Sequence, residues 1–547
     1  MSSEEKKEVL FTRNSTGLVR QGRWFDSFIF NSSSSWMFGT LILALSSLAW
    51  LKGVDLISAE GIALLFAIAI AVMYAILTAM MPRSGGDYVF NSRILHPSIG
   101  FSFNFSLSVW QLFSAAFTLF FIANVALSPG LEVLGYYANM QWLNQVGVWF
   151  SNPTNAFIVA TIVNILFTLV TLTGIRRTFT SLDVLWGITI FGTIVMIVSL
   201  LVTTPSAFHA AFNSFMTNAN GTSTSRDAFT SVIQLGAPIP PVYALAFPAV
   251  AIVADSVIWV FWETYVSGEV RHANQAKRNI STMVGAAVLN AAFFVTLAYL
   301  LYSRVGVQFL TALTNLSNVA SPATPFGSSL QALTTVLILA TGNFYAALIL
   351  VVAITLGFSV LLLPALYLQP IRSIFAWSFD RIFPDRFNSV SSRFHTPLLT
   401  TLTVFVLIEG ALVLITEEYN SLLGIFFAVI VAPAFSCIFP TSLSAIVAGL
   451  RARRAGTVRA QISIGRWYII TLLGILSLSF ISYMTYVFVT NEQFFFATST
   501  FLSPNTLIAL NFVFIPIGAL IYFASYQFRK SRNKININRI AMEIPPE

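Results

Sequence analysis

The stretch "FNSSSSWMFG", residues 30–39, places five small polar residues, Asn31, Ser32, Ser33, Ser34 and Ser35, inside an otherwise apolar segment. Serine and asparagine side chains compete with a helix for its own backbone hydrogen bonds. A run of them therefore lowers the cost of unwinding the segment and presents hydroxyls and an amide at the gap. The alternative is that small residues let helices pack closely, but packing needs one residue in four, not five in succession.

The surrounding chain defines the setting. Of its 547 residues 56% are hydrophobic and only 9% charged, against about 25% charged in an average soluble domain, so the composition is that of a membrane protein. The single cysteine, Cys437, excludes an intramolecular disulfide framework and a cysteine-based metal site. Four scattered histidines, His96, His209, His272 and His395, offer no catalytic or metal cluster, so no enzyme is expected. The basic residues are dispersed through short loops, which argues against a nucleic-acid partner. The polar, charged N-terminus does not read as a cleavable signal peptide.

Spanning a bilayer takes about 20 mostly apolar residues. Such runs number twelve, near 24–51, 60–81, 98–128, 154–174, 182–204, 242–265, 281–304, 343–370, 397–416, 420–449, 467–490 and 503–526. A shorter apolar patch at 329–341 is read as lying on the surface or plugging an entrance. With both termini cytoplasmic, 26 of the 29 Lys and Arg residues fall inside, leaving Lys52, Arg226 and Arg304 outside, as the positive-inside rule requires. Two N-glycosylation triplets, at Asn220 and Asn315, then fall in outside loops.

Three cytoplasmic stretches stand out on this topology: "MPRSGGDYVFNSRILHPSIGF" (81–101), "SGEVRHANQAKRNI" (267–280) and "IRSIFAWSFDRIFPDRFNSVSSRFHTP" (371–397). Together they resemble the amino acid–polyamine–organocation superfamily of secondary transporters, the amino acid permeases among them, over spans 1 to 10. The resemblance implies an all-α integral membrane fold of 12 transmembrane helices. Its core is a five-plus-five inverted repeat with broken helices 1 and 6, followed by helices 11 and 12. The implied divisions are a cytoplasmic tail (1–23), the first repeat (24–204), an outside loop (205–241) and the second repeat (242–449). A cytoplasmic loop (450–466), helices 11–12 (467–526) and a cytoplasmic tail (527–547) follow.

The resemblance further implies alternating-access transport of an amino acid or related small organic solute across the cell membrane, with a polyamine or nucleobase carrier or a non-transporting sensor as alternatives. Substrate would meet Asn31 and Ser32 to Ser35 at the first break. At the second, expected near 256–262, it would meet Asp255, Trp259 and Phe261. Relatives often place glycines at these breaks; here none occurs in helix 1 before Gly39. No bound cofactor is implied beyond a coupling ion, Na+ or H+. Asp255 and Glu263 are the ionisable candidates, Glu263 being the weaker because it is expected nearer the solvated cytoplasmic face. Thr355 and Ser359, spaced i and i+4, share a helix face and could meet Na+. Span 5 has no Lys or Arg, so a lysine-based proton mechanism does not carry over. At the inner gate, Gly85 and Gly86 are read as a tight turn, and Arg83, Arg372 and Asp380 as ion-pairing residues. The expected partners are a small solute and the lipid bilayer, with no obligate protein partner.

Overall fold

The computed structural model describes residues 18–33, 35, 37–49, 51, 54–220, 227–237, 246–318, 326, 328–417, 422–455, 467–490, 504–533 and 536–540. The fold is all-helical. Among the described residues no named strand occurs, and one isolated parallel bridge links Gly22 to Val270.

The chain opens with α1 (Trp24–Ser33) and α2 (Met37–Ser46), separated at the serine run. Next come α3 (Leu56–Met80), whose first turn is capped by the Asp55 carboxylate, and the short α4 (Asp87–Ile94). Helices α5 (Pro97–Phe121) and α6 (Ser128–Ala138) are joined by a π-turn into one continuous rod. After α7 (Gln141–Ser151) come α8 (Pro153–Leu172), α9 (Ile175–Val202), α10 (Pro205–Asn220) and α11 (Ala228–Gly236). Helix α12 (Ala246–Val253) is brief and gives way to irregular turns through Glu269. The rest comprises α13 (Ala276–Leu301), α14 (Val307–Asn318), α15 (Ser329–Leu339), α16 (Phe344–Thr355) and α17 (Leu363–Phe379). It closes with α18 (Leu398–Glu417), α19 (Leu422–Ala455), α20 (Trp467–Thr490), α21 (Pro504–Asn533) and α22 (Ile537–Ile540).

Among the described residues, nine helices are long and apolar enough to cross a membrane. Burial ranks them, because an apolar helix in lipid need not hide its surface from solvent. The rod Pro97–Ala138 is the most enclosed, with 83% of its apolar window buried, and α9 among the least, at 28%. The central rod thus packs on protein from nearly all sides, while α8, α9, α20 and α21 present broad apolar faces outward.

Several boundaries differ from the sequence reading. Residues 329–339 do not lie on a surface: every residue of α15 is buried. The 371–397 stretch does not begin as a loop, because α17 runs through Pro370 to Phe379 and carries Arg372 inward. A proline removes one hydrogen bond without necessarily ending a packed helix. Asn315 sits on α14 rather than in a loop, and its side-chain amide donates to the Gly236 carbonyl at 2.9 Å.

Candidate solute site at two interrupted helices

The α1–α2 interruption falls on the serine run. Asn31 and Ser32 are fully buried, and Ser33 and Ser35 nearly so; Ser34 lies outside the described residues. The Ser33 hydroxyl turns back to the Phe30 carbonyl at 3.1 Å, the local competition expected of serine. The Ser35 hydroxyl is buried without a hydrogen-bond partner among the described residues.

The second interruption begins earlier and runs longer than the expected 256–262. The α-helix stops at Val253, and 3₁₀ turns occupy Ala254–Ser256 and Trp262–Glu269. The aromatic spacing matches this path. Trp259, Trp262 and Tyr265 recur every three residues, and side chains at i and i+3 eclipse in a 3₁₀ turn. Trp259 stacks on Trp262 with centroids 5.7 Å apart, and Trp262 meets Tyr265 in a tilted contact at 5.0 Å. Phe261 stacks on Trp262 at 5.8 Å and on Tyr74 of α3 at 3.9 Å.

Side chains join the two interruptions. Asn31 Oδ1 accepts from the Glu263 backbone N–H at 3.0 Å. Asn290 of α13 donates its amide to the Ser32 carbonyl at 3.1 Å and the Ser256 carbonyl at 3.3 Å. Its Oδ1 accepts from the Ser32 hydroxyl at 3.0 Å. Asp255 links the halves differently, taking hydrogen bonds from Thr40 of α2 at 3.1 Å and from the Trp259 indole at 2.6 Å. An indole N–H only donates, so Asp255 Oδ1 is an acceptor here.

Glu263 departs from the expectation of solvation. It is 1% exposed, paired with Arg278 at 3.3 Å and accepting from Thr282 at 3.1 Å. The 3₁₀ path turns it inward against α13. Thr355 bonds back to the Val351 carbonyl at 2.7 Å, and the Ser359 side chain lies outside the described residues.

At the gate candidates, Gly85 and Gly86 both have positive φ, +111° and +55°, a region glycine occupies without a Cβ penalty. A Cβ on Gly86 would lie 2.6 Å from the Tyr265 ring. Arg372 makes a two-pronged pair with Glu269, at 2.6 and 2.8 Å. Asp380 is held by Arg93 at 2.7 Å and by the Tyr88 hydroxyl at 2.7 Å. Arg83 donates to the Pro82 carbonyl at 3.2 Å and, with Arg93 and Asp380, lines one pocket beside α17. Glu269 was marked in the sequence as the acidic residue of the 267–280 stretch but not as the partner of Arg372, and Arg93, Glu60, Thr40 and Asn290 were not singled out. A lone acid, hydroxyl or amide in an apolar helix gave the only available signal.

Residues 23–525 match the family model described as "Amino acid permease". The chain belongs to the amino acid permease family. Comparison with curated proteins finds no match. The permease is a multi-pass membrane protein, and its family points to a membrane transporter of a small solute rather than to an enzyme.

Proposed function

We propose that this permease is a secondary active transporter that moves an amino acid or a related small organic solute across the cell membrane by alternating access, coupled to an ion. The observation that carries this reading is Asn290, whose one amide bonds to the backbone at both helix interruptions. Transporter sites are built where two discontinuous helices face each other, because freed backbone groups can serve solute and ion. An unwound backbone is tolerated at membrane depth only where it is enclosed by protein or lines a cavity.

On this reading α1–α2 and the segment from α12 to Glu269 are the broken first and sixth helices of twelve, arranged as two inverted five-helix repeats with both termini cytoplasmic. The α16–α17 pair is then the eighth. Asn31, Ser32 to Ser35, Trp259 and Phe261 line the solute position, and Asp255 serves the solute ammonium or the coupling ion. Glu263 already has Arg278 as counter-charge, so it positions the break rather than carrying the ion. Thr355 and Ser359 remain the candidate Na+ ligands. The Arg372–Glu269 and Arg93–Asp380 pairs hold the inner side closed around Arg83, Gly85 and Gly86.

The test is uptake of a labelled amino-acid panel into proteoliposomes, under imposed H+ or Na+ gradients. Saturable uptake of at least one amino acid is expected, together with its loss in Asp255→Asn, which keeps the volume and removes the charge. No uptake of any amino acid under either gradient would refute the amino-acid reading. Normal transport by Asp255→Asn, with unaltered pH and Na+ dependence, would remove Asp255 from coupling.

A further inference from the structure

Glu60 is the fifth residue of α3 and is fully buried. Its Oε1 lies 2.6 Å from the Ser256 hydroxyl, in the turn where α12 ends. Its Oε2 is buried with no hydrogen-bond partner among the described residues. The same Ser256 hydroxyl also lies 2.7 Å from the Val253 carbonyl, the last of α12.

The two contacts compete for one hydroxyl proton. A serine hydroxyl has one proton to donate, and a backbone carbonyl has none. If Ser256 donates to Val253, the short Ser256–Glu60 contact needs a proton from Glu60. If Glu60 is ionised, the single Ser256 proton must serve both the carboxylate and the Val253 carbonyl at 2.7 Å, and the charge draws it towards Glu60. Each contact has a proton of its own only when the carboxyl is neutral; an ionised Glu60 leaves the Ser256 proton shared between two acceptors. The bare Oε2 agrees, since an unpartnered carbonyl oxygen of a neutral acid is far less costly to bury than one of a carboxylate.

Among the described residues no neighbouring charge compensates an ionised Glu60. The elements packed on α3 are α12, α13, α19, α20 and the turns 254–256 and 262–269. Their described titratable groups are Asp255, Glu263, Tyr265, Glu269, Lys277, Arg278, Tyr299, Cys437, Arg451, Tyr468, Tyr483 and Tyr486, and α3 itself adds Asp55 and Tyr74. Glu263 is paired with Arg278 and Glu269 with Arg372, while Asp255 is bonded to Thr40 and Trp259. None of these described titratable groups forms an ion pair or hydrogen bond with the Glu60 carboxyl, whose one partner among the described residues is Ser256.

We propose that Glu60 is a proton-binding site of this permease: it is protonated in this conformation, and its ionisation breaks the Ser256–Val253 contact and loosens the second helix interruption. The link reaches the first interruption as well, because Asn290 holds the Ser256 and Ser32 carbonyls together. The proposal makes the proton the coupling ion and in that respect rests on the transport reading above. The protonation itself does not.

Infrared difference spectra of the purified permease in lipid, between acid and alkaline pH, test the protonation without any solute. The wild type is expected to show a protonated-carboxyl C=O band that Glu60→Gln removes and Ser256→Ala shifts to the frequency of a weakly bonded acid. Hydrogen–deuterium exchange of the peptide covering 250–260, corrected for intrinsic pH dependence, is expected to speed up with alkalinity in the wild type and not in Glu60→Gln. With the labelled amino-acid panel in proteoliposomes, wild-type uptake should change by up to about tenfold per pH unit, the limit for one titrating proton, and the Glu60→Gln profile should be flat. A carboxyl band or an exchange response that persists unchanged in Glu60→Gln overturns the proposal, as does an unaltered pH profile of uptake. If the wild type moves none of the panel, the transport reading fails, and the infrared and exchange results still decide the fate of Glu60.

Discussion

The Arg372–Glu269 pair is the sharpest energetic test of the fold. Both groups are about 1% exposed or less, and two short hydrogen bonds fix the guanidinium against the carboxylate. Arg372→Met alone would leave Glu269 as a buried, uncompensated charge, and Glu269→Leu alone would do the same to Arg372. Breaking one side of such a pair costs about 3–5 kcal/mol, whereas replacing both sides with apolar groups of similar volume is often close to neutral. The two single variants should therefore each lose about 3–5 kcal/mol, and the double variant should recover most of it, a coupling of at least about 3 kcal/mol. Unfolding of the detergent-solubilised permease by increasing SDS, followed by far-ultraviolet circular dichroism, gives all four corners of the cycle. Additive costs in the double variant, or single variants that each lose under about 1 kcal/mol, would show that the two charges are hydrated and that the pair does not seal this region.

Gly86→Ala places a Cβ 2.6 Å from the Tyr265 ring at a backbone of φ +55°, ψ −127°; thermal-shift measurements should show a loss of about 2–4 kcal/mol. Gly187→Ala, where a Cβ meets nothing within 4 Å, should be neutral or slightly stabilising. Asp87, on α4 and outside the candidate spans, is pushed up from 3.8 to about 7 by burial. Its native carboxyl holds a proton that the unfolded chain has released, so stability is fully present below pH 4 and falls as pH rises through 7, by something on the order of 4 kcal/mol. Asp87→Asn should flatten that slope in denaturation curves between pH 5 and 8, and an unchanged slope would assign it to another group.

How much of this was legible in the sequence depended on whether a signal was local. The first interruption was, because Asn31 to Ser35 is a contiguous run whose side chains act on their own backbone. The second was only partly so. Asp255 marked the right neighbourhood, but the break starts at Val253 and runs through two 3₁₀ segments to Glu269, along which Trp259, Trp262 and Tyr265 contact one another in turn. That spacing was visible, yet in an apolar span it reads equally as helix packing. Glu263 was misplaced for the same reason, since a 3₁₀ turn rotates each residue by 120° rather than 100° and brings it round to Arg278. Pairings across the fold left no local trace. Arg372 was seen as a gate residue, but nothing in the sequence joins it to Glu269, 103 positions away. Glu60 and Asn290 were passed over because a single acid or amide in an alanine-rich helix is compatible with many roles.

The composition of the first interruption also explains how the chain manages without glycine there. Backbone groups freed inside a membrane need partners, and here side-chain amides supply them: Asn31 to the Glu263 N–H, and Asn290 to the Ser32 and Ser256 carbonyls. A glycine break would expose these groups directly and leave their satisfaction to the solute. An asparagine break satisfies them in advance and so stabilises the closed arrangement with no solute bound. On the proposed reading, a solute carboxylate or ammonium must exchange with these amides bond for bond. Because each exchanged hydrogen bond differs in net worth by only about 0.5–1.5 kcal/mol, the affinity of the site is then set by how well the solute's charges replace Asn31 and Asn290, and by the protonation of Glu60 behind Ser256.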